Sequence, residues 1–203
     1  MKQALLLARF FSSIFRPSYY PTVGTLILLS FTYLAIFPWF FKIWVLALIH
    51  FFTVILPSMG IYAYRRYHHW SLQELRLHRR RYVPYIINIV CYMCLMHIMT
   101  VIHMPHFLVA IIGISLIIQM GCLLFNLRWK VSMHSAGSGG IIGALVAYSV
   151  LFAFNPIWWL SAAFILSGCV MTSRMLLRQH TLGQVMAGTL IGIVGGIMGV
   201  WLM

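Results

Sequence analysis

The chain has 203 residues, 63% of them hydrophobic and 7% charged, with fourteen Lys and Arg against a single acidic residue, Glu74. A soluble domain carries about a quarter charged residues, so this composition excludes a water-solvated globule and requires lipid around most of the surface. The basic residues occupy short gaps between apolar runs, which excludes a track for nucleic acid and leaves two compatible readings: topology signals of a cytoplasmic face, and a site for an anionic headgroup or phosphate.

The first twenty residues, MKQALLLARFFSSIFRPSYY, are apolar but interrupted by Lys2, Arg9 and Arg16. The run Ala4 to Ala8 is too short for a signal core and no A-x-A site follows, so residues 1–21 read as an interfacial helix along the headgroups. Pro17 and Pro21 then turn the chain into the bilayer. Residues 22–203 read as one transmembrane domain, all-α, a bundle of about seven (six to seven) helices. The spans fall near 22–41, 43–64, 83–103, 106–126, 137–154, 157–172 and 182–202. Three joints are very short: around Lys42, around Met104-Pro105-His106 and around Asn155-Pro156.

The N-terminus and the loops 65–82, 127–136 and 173–181 share one face under this reading, and thirteen of the fourteen basic residues lie there; Lys42 is the exception. The positive-inside rule makes that face cytoplasmic. The four cysteines, Cys91, Cys94, Cys122 and Cys169, have no zinc spacing and read as small core residues. His50, His97, His103 and His106 form no matched pairs at similar depth on two helices, which argues against haem ligation. The tryptophans cluster at span ends as an aromatic belt.

Three polar segments on the basic face need another explanation. They are Arg76 to Pro84, Lys130 to Gly140, and Ser173 to Gln184. Arg offers a planar fork of donors to phosphate oxygens, and Lys a point charge. His134 stands beside a Gly- and Ser-rich helix start that favours an anion. His180 and Gln184 are four apart and share a helix face; the Gln carbonyl can orient the imidazole and leave its other nitrogen for attack. Gly139 and Gly143, and Gly188, Gly192 and Gly196, are small-xxx-small pairs that let the fifth and seventh spans approach closely, which would bring His134 and His180 together.

This combination resembles the type 2 phosphatidic acid phosphatase superfamily, membrane phosphatases acting on lipid phosphates and pyrophosphates. Ser173, Arg174 and His180 match its Ser-Arg-x5-His-x3-Asp motif in spacing. His134, followed by Ala136 and Gly137, matches part of a Pro-Ser-Gly-His motif, and Arg81 and Pro84 loosely match the Lys/Arg-Pro motif. The resemblance covers roughly 76–200. It implies that His180 is the nucleophile forming a phosphohistidine, that His134 protonates the leaving lipid alkoxide, and that Arg174, Ser173, Arg81 and Lys130 hold the phosphate, with no metal or other cofactor.

The partners so implied are a lipid phosphate substrate and membrane lipids. Candidate substrates are phosphatidate, phosphatidylglycerol phosphate or a polyprenyl phosphate. The expected location is a bacterial inner membrane, with the site facing the cytoplasm. Gln184 stands where the family pattern has Asp, and supports an alternative: a catalytically inactive lipid-binding or scaffolding protein that retains the fold.

Overall fold

The computed structural model describes residues 2–31, 33–69 and 82–202. Among the described residues the chain is helical throughout, with no strand. The helices are α1 (Lys2–Ile14), α2 (Tyr20–Phe31), α3 (Trp39–His50), α4 (Leu56–Tyr67), α5 (Tyr82–Val101), α6 (His106–Asn126), α7 (Met133–Leu151), α8 (Ile157–Leu176) and α9 (Leu182–Trp201). Six helices among the described residues are long and apolar enough to cross a membrane: Trp39–Tyr67, α5, α6, α7, α8 and α9. The protein is therefore an all-α integral membrane bundle.

The chain divides into two compact units, one of Ser18–Ile112 and one of Met1–Pro17 with Gly113–Met203. In the first, the predicted span 22–41 is not one helix. α2 has 12 residues, or about 18 Å at the helical rise, against a hydrocarbon core of about 30 Å. A short 3-10 turn, Tyr33–Ile36, follows, and Pro38 then sits at the N-cap of α3. Proline has no N–H and forces the preceding residue out of the α region. The joint expected around Lys42 accordingly lies at Phe37–Pro38. Lys42 itself is inside α3, where its Nζ donates to the Ala35 carbonyl at 2.7 Å and lies 5.1 Å from the centre of the Trp39 ring. The lysine thereby satisfies a carbonyl that the interrupted helix leaves open.

The helix from Trp39 to Tyr67 is continuous but widens into a π turn at Phe51–Ile55. Pro57 explains the position: it cannot donate back along the helix, and its ring would collide with a carbonyl one turn earlier. Thr53 donates its hydroxyl to Ile49 O at 2.8 Å in the same turn. α5 ends in a Schellman turn. Met104 N–H reaches Met99 O at 2.9 Å and His103 N–H reaches Thr100 O at 3.1 Å, with His103 at φ 53°. His103 is thus a turn residue.

In the second unit α7 and α9 pack most closely. An added Cβ on Gly139 would collide with Thr189 O, on Gly143 with Ile193 O, and on Gly192 with Ala136 O. Each glycine ladder lies against the backbone of the other helix, the geometry small-xxx-small spacing allows. α8 packs on α7, and α1 packs on α8. α1 buries Ala8 and exposes Leu6, Leu7, Phe10 and Ile14.

Candidate functional site

α8 continues past the predicted end at 172 to Leu176, so Ser173 and Arg174 lie in its last turn. The chain leaves through a second Schellman turn: Gln179 N–H bonds Arg174 O at 3.2 Å and Arg178 N–H bonds Met175 O at 2.9 Å. Arg178 has φ 50°, a left-handed conformation that costs a side-chain-bearing residue about 1 kcal/mol or more. The turn points the chain back so that His180 follows within two residues, and Thr181 caps α9.

Gln184 does two things at once. It is the N3 residue of a capping box with Thr181, its Oε1 accepting from Thr181 N–H at 3.3 Å. The same oxygen lies 3.1 Å from His180 Nδ1. A backbone N–H can only donate, so the Gln184 atom at this point is the oxygen and not the amide nitrogen. In the neutral ring His180 Nδ1 must then carry the proton, and Nε2 holds the lone pair. The cap that any helix start needs also selects the tautomer.

α7 begins four residues earlier than the sequence suggested, at Met133. Ser132 is its N-cap, accepting from Ser135 N–H, and serine in that role defines a helix start. Ser132 N–H donates in turn to Gln184 O at 3.3 Å, and Ser132 O lies 2.5 Å from where a Cβ on Gly188 would stand. The first turns of α7 and α9 are therefore joined backbone to backbone, and His134 and His180 are near enough to interact electrostatically.

The cationic groups gather around these rings. Arg174 and His180 are 8% and 7% exposed, and Arg174 and Arg16 both act electrostatically on the half-buried His134. Lys130 Nζ donates to Gln179 O at 2.7 Å, tying the loop before α7 to the turn before α9. Arg174 Nη1 donates to Ser12 Oγ at 2.7 Å, and His134 is hydrogen-bonded to the main chain of Ser12. No described residue is Asp or Glu, so the locality is net positive and suited to an anion.

His134, His180, Gln184, Arg174 and Lys130 thus fall in one locality of one unit. Ser173 is beside Arg174, but its hydroxyl donates to Cys169 O at 2.7 Å within α8. Arg81 lies outside the described residues, and Pro84 is in the first turn of α5, in the other unit. The sequence reading did not find Ser12 and Arg16. No local pattern marks them: Ser12 is in the last turn of α1 and Arg16 two residues beyond it.

Residues 125–203 match the family model of the PAP2 superfamily. No curated protein and no solved structure matches the chain. The matched stretch begins beyond Arg81 and Pro84 and contains α7, α8, α9, both histidines, Arg174, Lys130 and Gln184. Over residues 125–203 the chain is thus similar to the PAP2 superfamily.

Proposed function

We propose that the protein is a membrane phosphatase that hydrolyses a phosphomonoester or pyrophosphate carried on a lipid. The similarity of residues 125–203 to the PAP2 superfamily suggests a phosphatase-type function, and the membrane-spanning helices suit a substrate that resides in the bilayer. The observation that carries the reading is the His180–Gln184–Thr181 arrangement, which fixes the tautomer and orientation of the His180 ring as an attacking imidazole requires.

In this mechanism Nε2 attacks phosphorus, the bond to the leaving oxygen breaks, and His134 gives that oxygen a proton. Water then attacks the phosphohistidine, releasing inorganic phosphate and restoring both imidazoles. Arg174 and Lys130 hold the non-bridging oxygens as their charge redistributes. The Lys and Arg count supports a reaction on the cytoplasmic side. Gln184 orients the ring but adds no negative charge to stabilise an imidazolium.

The test is phosphate release by detergent-purified protein from phosphatidate, phosphatidylglycerol phosphate and a polyprenyl pyrophosphate, beside a Gln184→Asp variant. Release from at least one lipid is expected, with Gln184→Asp faster by about tenfold or more because a carboxylate adds negative charge beside the imidazole. Silence from every lipid in both proteins would favour the non-catalytic lipid-binding alternative that Gln184 itself suggests.

A further inference from the structure

Helix α1 belongs to the same compact unit as α7, α8 and α9, and three observations connect it to the candidate site. Arg174 Nη1 donates to Ser12 Oγ at 2.7 Å, across 162 residues of sequence. The main chain of the same residue is hydrogen-bonded to His134, and Arg16 acts electrostatically on that imidazole. Ser12 lies in the last turn of α1, and Arg16 follows two residues beyond its end. The remaining apolar surface, Leu6, Leu7, Phe10 and Ile14, is exposed and suits the acyl region next to the headgroups.

A guanidinium on a flexible stem loses rotamer freedom when it grips an anion, and a hydrogen bond made beforehand reduces that loss. Ser12 supplies such a bond at Nη1, one end of the Arg174 fork. Through its main chain it also fixes the second histidine. Arg16 is exposed, where it can turn towards an arriving anion.

We propose that α1 and the residues just after it are a working part of the phosphate site, with Ser12 a positioning residue for Arg174 and His134 and Arg16 a further phosphate-binding residue. This rests on the phosphatase reading of the site. It makes α1 a component of the active domain and goes beyond the role of an anchor along the membrane.

The test uses the full chain in detergent, with binding of orthovanadate followed by thermal shift and with steady-state phosphate release. Ser12→Ala is expected to weaken vanadate binding and lower kcat by about tenfold, the effect of one charge-assisted hydrogen bond, with Ser12→Thr restoring both. Arg16→Gln is expected to raise KM and the vanadate Kd about threefold, as for an exposed cation, with Arg16→Lys recovering. The exposed Arg128→Gln controls for a bare change of charge.

Ser12→Ala and Arg16→Gln both indistinguishable from the parent, in protein of unchanged melting temperature, would overturn the proposal. So would tighter vanadate binding in Ser12→Ala, since the hydroxyl would then be competing with phosphate for Arg174. Full activity in His180→Ala would instead defeat the phosphatase mechanism, and the vanadate measurement would still decide the role of α1.

Discussion

His180→Ala is expected to reduce lipid phosphate release by about 10⁴-fold or more, the scale on which removal of an attacking group acts in enzymes with a covalent intermediate. Retained vanadate binding should show that the fold and the cationic cluster survive, because Arg174 and Lys130 are anchored independently of the ring. The size of the loss follows from the arrangement around Gln184. One oxygen receives both the Thr181 N–H and the His180 Nδ1 proton, so the neutral ring is held in one tautomer by the requirement to cap α9. A loss of less than about tenfold would show that His180 is not the nucleophile.

Gly192→Val is expected to have the largest effect on the fold. A Cβ at this position would overlap Ala136 O and stand 2.7 Å from Gly140 N, both backbone atoms of α7. No side-chain rotation relieves such a clash, so α7 and α9 must separate, at a cost of more than about 3 kcal/mol. That separation would also pull His134 away from His180. The variant should elute from size exclusion as aggregate, or melt far below the parent, with activity lost. Gly168→Ala is the matched control: a Cβ there meets nothing within 4 Å, and the helix gains up to about 1 kcal/mol from replacing glycine.

These two positions also mark what the sequence discloses. The glycine ladder was legible because close helix approach in lipid depends on side-chain size at a fixed spacing, which Gly139, Gly143, Gly188, Gly192 and Gly196 display without any knowledge of the partner. The pairing of His180 with Gln184 was legible from their spacing, but not as a shared helix face: His180 precedes the Thr181 N-cap, and the contact is made across the cap.

The break at Pro38 was missed because hydropathy runs on unchanged through Phe37-Pro38-Trp39-Phe40-Phe41, while the backbone cannot continue without the proline N–H. The early start of α7 was missed because the glycines from Gly137 drew attention from Ser132, whose cap sets the boundary. Ser12 lay beyond reach altogether. Its partner is 162 residues away, and no local pattern in α1 encodes which side chain will be opposite once α8 packs on it.

The double use of Gln184 bears on its departure from the family pattern. Asp at the same position would also cap α9, so the capping requirement alone does not distinguish the two residues. What differs is charge: glutamine preserves the tautomer and gives up the electrostatic support of an imidazolium. A comparison of Gln184 with the equally long Gln184→Glu measures the charge with the reach of the side chain held constant.

The central claim is that His180 Nε2 takes the phosphoryl group, and the most direct measurement is to trap that intermediate. Detergent-purified protein would be mixed with radiolabelled lipid phosphate, quenched in alkali within the first turnover, and its peptides mapped by mass spectrometry. The account predicts an acid-labile, alkali-stable phosphoryl group on the peptide carrying His180, lost in His180→Ala. Label on any other residue, or turnover with no labelled protein at any time point, would contradict it.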